Sequence, residues 1–188
     1  EGFQFIERAV WIRALGVEYF VGVDGTSVAF VVLTSLLAVV ATATARSPWI
    51  TPGFFGCLLL VVGLVTGFFV ACDLVLMLAF WQATLIPLYF LVAMWGGKQR
   101  AVAALKLFVT LLVANLLVSF GALVLHQHAD TSYLVDGTAV AHGFSISELG
   151  RSAFAAKTAS VFGISLVKVG TVAIFTGFLI AMAAFPFH

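Results

Sequence analysis

Phe80-Trp81-Gln82-Ala83-Thr84-Leu85-Ile86-Pro87-Leu88-Tyr89-Phe90 decides the fold. It lies inside an apolar run from Cys72 to Trp95 that holds no Lys, Arg or Glu. At 1.5 Å per residue the run is about 36 Å long, enough to cross a bilayer with some tilt. Near its middle sit an amide, Gln82, and a helix-breaking proline, Pro87. Pro87 removes the hydrogen bond that its N–H would have made to the Ala83 carbonyl, so a kink is expected there. Gln82, Ile86 and Tyr89 follow i, i+4, i+7 and are expected on one face. At membrane depth, such a polar group is tolerated where it faces protein or a wet cavity, not lipid.

The surrounding composition agrees. The chain is 63% hydrophobic and only 9% charged, with a mean hydropathy of +1.18, where a soluble domain carries about 25% charged residues. This is the composition of an integral membrane protein, all-α, and it excludes a water-soluble enzyme. A formal net charge of +1 argues against nucleic acid as a partner. No nucleophile sits beside a base, and no phosphate loop or haem or iron–sulfur ligand spacing is present. No catalytic residue and no cofactor are therefore expected in this chain. Cys57 and Cys72 show no redox or metal spacing and are expected as packed thiols.

Residues 1–13 carry Glu1, Glu7, Arg8 and Arg13, the wrong make-up for a signal peptide. The chain is expected to start after processing or part-way into a longer protein. Residues 1–25 are expected as an interfacial lead-in, with Trp11, Tyr19 and Phe20 at headgroup level. Asp24-Gly25 signals a turn, and Asp24 or Thr26 is expected to cap the next helix. Residues 26–188 then form one transmembrane domain. About five spans are predicted, near 27–45, 53–71, 73–95, 101–125 and 161–183, with a polar loop at 126–158.

Gly63 and Gly67 make a small-xxx-small face for close helix approach. Trp95-Gly96-Gly97 reads as a helix C-cap before the charged turn Lys98-Gln99-Arg100. Lys106 lies near the start of the fourth span and can snorkel to the headgroups. Asn115, with Ser119 one turn on, is read first as a hydrogen-bonding link to a neighbouring helix. In the loop, His126-Gln127-His128 with Asp130 could hold a metal, but a plain solvated loop is preferred and no metal is expected. Phe144 to Ala156 is mildly amphipathic and is expected along the membrane surface. Ser165, Lys168 and Thr171 form a polar stripe at i, i+3, i+6, with Lys168 close enough to the span's start to snorkel. Short turns bearing Arg46, Lys98 and Arg100, with Lys106 nearby, favour that side as cytoplasmic. The N-terminus and the 126–158 loop are then expected to be periplasmic.

The central helix, followed by Trp95-Gly96-Gly97-Lys98 and Ala103-Ala104-Leu105-Lys106-Leu107-Phe108, resembles the antiporter-like membrane subunits of respiratory complex I, NADH:quinone oxidoreductase. The Leu85-Ile86-Pro87-Leu88-Tyr89 run points to the chain 4, or M-type, subunit. Trp11-Ile12, Leu15-Gly16 and Gly22-Val23-Asp24-Gly25-Thr26-Ser27 resemble the lead-in to that family's third helix. Phe185-Pro186-Phe187-His188 resembles the end of its seventh, so the five spans are similar to helices three to seven of about fourteen. The ending, without a polar tail, is expected to be a truncation or a fragment.

The resemblance also implies a site and two departures from it. The family carries a glutamate where Gln82 stands. It carries a buried lysine seven residues before the closing histidine, His188, at the position of Ala181, and a proline at the position of Ala183. A glutamate and a lysine in a low-dielectric half-channel tune each other's pKa and can load and pass a proton. Gln82 hydrogen-bonds but does not titrate, and Ala181 offers nothing. Losing one partner alone would strand a buried charge, whereas the paired loss leaves a neutral site. The expected proton-path positions are therefore Gln82, Lys106, Lys168, Ala181 and His188, in a half-channel that does not pump by the usual route. The expected partners are other integral membrane subunits and the lipid bilayer. The alternative is a non-transporting scaffold or anchor of another redox or energy-converting complex.

Overall fold

The computed structural model describes residues 3–12, 16–45, 51–127, 133–135, 138–140, 143–147, 160–161 and 164–183. Five helices dominate it: α1 (Gly25–Thr44), α2 (Pro52–Val70), α3 (Leu74–Trp95), α4 (Arg100–Gln127) and α5 (Leu166–Ala181). The first four are long and apolar enough to cross a membrane, and α5, with 16 residues, is shorter. The fold is a polytopic helical bundle.

The helices start where their caps dictate. Asp24 accepts the Ser27 N–H at 2.7 Å and the Thr26 hydroxyl at 2.6 Å, opening α1. Thr51 precedes α2, whose first turn holds Pro52, where a missing N–H costs nothing. Asp73 opens α3 by accepting the N–H groups of Val75 and Leu76 at 2.9 and 3.0 Å. Gly96 closes α3, its N–H bonded to the Val92 carbonyl. The helix runs through Pro87, which is buried, so its ring meets protein instead of lipid.

The expected interfacial lead-in folds as a β-hairpin. β1 (Gln4–Ile12) pairs antiparallel with β2 (Val17–Val23), turning near Gly16 at φ 67°, a left-handed conformation suited to glycine. Successive strand residues point to opposite faces. Tyr19 is accordingly exposed, as is Trp11, while Phe20 is buried. The hairpin docks on the entrance to α3. The Cys72 N–H donates to the Phe20 carbonyl at 2.8 Å, and Val21 bridges Ala71. On the other side, Leu74 N–H donates to Phe144 and Ile146 N–H to Cys72. Residues 71–73 thus run as a short strand between the hairpin and residues 143–147.

Three further differences concern the second half. The loop expected from 126 contains a small hairpin, β3 (Tyr133–Val135) with β4 (Thr138–Val140), and α4 runs on through Gln127. The fifth span, expected from 161, begins only at Leu166, because β5 (Ser160–Val161) and β6 (Ile164–Ser165) form a tight hairpin before it. Ser165 therefore lies on a strand, and the helical stripe with Lys168 and Thr171 does not form. Most of the amphipathic stretch expected at 144–156 lies outside the described residues.

Glycines set the closest helix approach. A Cβ on Gly177 of α5 would lie 2.6 Å from Val118 and 2.7 Å from the Ala114 carbonyl of α4, and one on Gly170 would lie 3.0 Å from the Gly121 carbonyl. This seam brings α4 and α5 together. On α2, a Cβ on Gly67 would lie 2.8 Å from the Phe80 ring of α3, while the Cβ position of Gly63 faces open space.

Candidate functional site

Gln82 lies midway along α3, and its side chain turns toward α4. Asn115 Nδ2 donates to Gln82 Oε1 at 3.4 Å, and Gln82 Nε2 donates to Ser119 Oγ at 3.4 Å. Both contacts are long, at the weak end of hydrogen bonding. Asn115 and Ser119 lie one turn apart on α4, so one amide of α3 spans both. Asn115 is 1% exposed, and its Oδ1 has no partner among the described residues.

Aromatic pairs link α3 to its neighbours on either side of Gln82 in the sequence. Trp81 stacks on Phe178 of α5, with centroids 5.4 Å apart and planes 19° apart, and meets Phe68 of α2 edge-on. Tyr89 packs edge-on against Phe108 of α4. Ile86, expected on the same face, is exposed. The geometry explains why: at about 100° per residue, position i+7 returns within about 20° of Gln82, while i+4 falls about 40° to the other side.

The remaining positions do not converge on Gln82. Lys106 and Lys168 are both on outward surfaces of α4 and α5. The ion pair among the described residues is Arg8–Glu18, which involves neither lysine. Ala181 is half-buried at the end of α5, and His188 lies outside the described residues. The metal reading falls only partly on the described residues. The His126 ring is buried, stacked on Phe144 at 3.7 Å with Nε2 3.2 Å from the Gly143 carbonyl, while His128 and Asp130 lie outside the described residues. Among the described residues no group of three or more His, Cys, Asp or Glu side chains could hold a metal ion. Cys57 and Cys72 are free thiols.

A second polar cluster was not anticipated. At the entrance to α3, Glu18 and Asp73 are both 0% exposed. Glu18 accepts from Arg8 Nε at 2.7 Å, and its own N–H donates to Asp73 Oδ2 at 3.4 Å. The Arg8 guanidinium lies 4.6 Å over the Phe20 ring. Burial raises the Asp73 pKa, against the N–H groups of Leu76, Glu18 and Val75, which lower it. Burial also pushes the Cys72 thiol up to about 11. The alternation along β2, which puts Glu18 on the face of Phe20, was the available signal for this cluster.

Residues 71–188 match the family described as NADH:quinone oxidoreductase/Mrp antiporter, transmembrane. Among curated relatives, F(420)H(2) dehydrogenase subunit M of Methanosarcina mazei is 37% identical over 188 residues, covering 98% of this chain and 36% of that protein. NADH-quinone oxidoreductase subunit M of Rickettsia conorii is 39% identical over 109 residues, 56% of this chain and 22% of that protein. The corresponding subunit of Rickettsia bellii is 26% identical over 189 residues, 99% of this chain and 34% of that protein. The chain spans about a third or less of the length of these relatives.

Proposed function

Because the chain belongs to the NADH:quinone oxidoreductase/Mrp antiporter membrane family, we propose that it forms a neutralised half-channel of a complex I-type membrane subunit. In this half-channel the titratable pair of the family is replaced by an amide chain, so it does not relay protons by the usual route. The observation that carries this reading is Gln82 held between Asn115 and Ser119, with no charged side chain in the contact. An amide can hold two helices in register, but it stores no proton near neutral pH. Ala181 offers no replacement cation, and the outward Lys106 and Lys168 are placed to meet headgroups or a neighbouring subunit.

The partners are other integral membrane subunits, packed laterally in an energy-converting membrane. The N-terminal hairpin, the α3 entrance and residues 143–147 share one end of the bundle, which supports placing the N-terminus and the 126–158 loop on one side. The charge bias of the short turns makes that side periplasmic.

A second reading draws on the match along 98% of the chain to a subunit of an F(420)H(2) dehydrogenase. On it, the chain is a non-transporting membrane anchor in a redox complex with a different electron donor. Mass analysis of what co-purifies in mild detergent separates the two.

The test of the first reading is proton flux from the intact complex in liposomes. Lys106→Ala and Lys168→Ala should leave the flux unchanged, and Gln82→Glu with Ala181→Lys should assemble normally. A flux that falls with either lysine substitution would overturn it.

A further inference from the structure

We infer that the Arg8–Glu18–Asp73 junction is a one-proton binding site that controls how firmly the N-terminal hairpin docks on α3. Two carboxylates and one guanidinium are brought together here, and both carboxyl-bearing residues are 0% exposed. With every group ionised, the junction would bury a net charge of −1. Burying an uncompensated charge is costly, and the usual relief is uptake of a proton.

The hydrogen bonds leave room for one. Glu18 Oε2 accepts from Arg8, but Glu18 Oε1 is buried without a partner among the described residues. Asp73 uses Oδ1 for the first turn of α3 and Oδ2 for the Glu18 N–H, a long contact at 3.4 Å. A proton from hydronium bound to the Asp73 carboxylate leaves a carboxylic acid and water. No electrons move, and Glu18 keeps its pairing with Arg8. The burial that raises the Asp73 pKa acts in the same direction.

Among the described residues, the other polar and titratable groups packed around the junction do not supply the missing positive charge. Ser145 bridges Asp73 through backbone and is uncharged, Cys72 is a thiol, and Asp24 at the head of α1 is another acid. His126 is engaged with Phe144 and Gly143.

The site is placed to matter. Asp73 caps the helix that carries Gln82, nine residues or about 13.5 Å along its axis. The hairpin, α3 and residues 143–147 all meet at it, so its charge state bears on three elements at once.

Infrared difference spectroscopy of the full-length subunit in its native complex, in nanodiscs, tests the inference. A protonated carboxyl band should be present near neutral pH and should vanish in Asp73→Asn. Asn remains a good N-cap, so this variant keeps the docking surface. A second readout is hydrogen-exchange protection at the Cys72 and Leu74 amides. It should fall by up to about tenfold per pH unit as the proton leaves and be flat in the variant. Absence of the band in the unmodified protein, its survival in Asp73→Asn, or protection that is flat with pH in the unmodified protein would overturn the proposal.

Discussion

Asn115 of α4 donates its amide to Gln82 of α3 at 3.4 Å, and Gln82 passes its own amide on to Ser119 at the same distance. One side chain of α3 thereby links two residues of α4 a turn apart. In hydrocarbon the alternative is an unsatisfied amide, yet measured interhelical bonds are modest because the unfolded helices also find partners. A double-mutant cycle of Gln82→Leu and Asn115→Leu should therefore give a coupling of about 0.6 kcal/mol, with ~1.7 kcal/mol as the upper end. Unfolding in mixed detergent measures it. A coupling indistinguishable from zero would reduce the contact to proximity.

The α4–α5 seam should be far less tolerant. A side chain at Gly177 collides with the backbone of Ala114, which cannot move aside alone. Gly177→Val should separate α4 from α5 and destabilise by about 1–3 kcal/mol or more, as overpacking does. Gly63→Ala is the matched control. Its Cβ meets open space, and replacing a helical glycine with alanine recovers up to about 1 kcal/mol of propensity. Thermal unfolding in one detergent ranks the two, and equal losses would contradict the packing described.

The same comparison shows what the sequence made legible. Spans were readable because 18 or more apolar residues have few alternatives to a membrane helix, and Asp24 and Gly96 were readable because turn and cap chemistry is local. The pairing of Gln82 with Asn115 joins residues 33 apart in the chain. Periodicity says that each faces some helix, not which one. Spacing groups Gly63 with Gly67, yet only Gly67 faces a neighbouring helix, and the tightest approach pairs Gly121 with Gly170 and Gly177 with Ala114 and Val118, which no local motif joins. The hairpin was missed because interfacial aromatics and a strand alternation look alike over nine residues. Once β2 exists, its period of two buries Phe20 and Glu18 together.

Cys72 offers a chemical reading of hairpin docking. It is buried, its Sγ lies 3.8 Å from the Gly22 carbonyl, and burial together with the Asp24 charge holds its thiol up at about 11. Thiolate is the reactive form, so Cys72 should resist a soluble maleimide near pH 8 in the folded protein. Gly22→Val places a side chain where Cys72 Sγ sits 3.3 Å from the Cβ position and should loosen the hairpin. Faster labelling of Cys72 in that variant, read by mass spectrometry, is the expected outcome. Rapid labelling of the unmodified protein would mean that the hairpin is not docked as described.

The two aspartates that cap α1 and α3 should give pH dependences of opposite sign. Asp24 is held down at about 2, first by Ser27 and then by Thr26, from an ordinary value of 3.8. A depressed folded-state pKa stabilises the fold above the unfolded value, and that contribution is lost as pH falls from about 4 toward 2. Asp73 is shifted the other way by burial. Its contribution is fully present below the unfolded value and is lost as pH rises through the raised one. Amide protection at Ser27 should therefore collapse on acidification, while protection at Val75 and Leu76 should weaken on alkalinisation. Asp24→Asn keeps a cap but cannot titrate, so it should abolish the acid effect at Ser27 and leave the α3 response intact. Site-resolved hydrogen exchange across the pH range separates the two. If both caps lost protection in the same direction, burial would not be what distinguishes them.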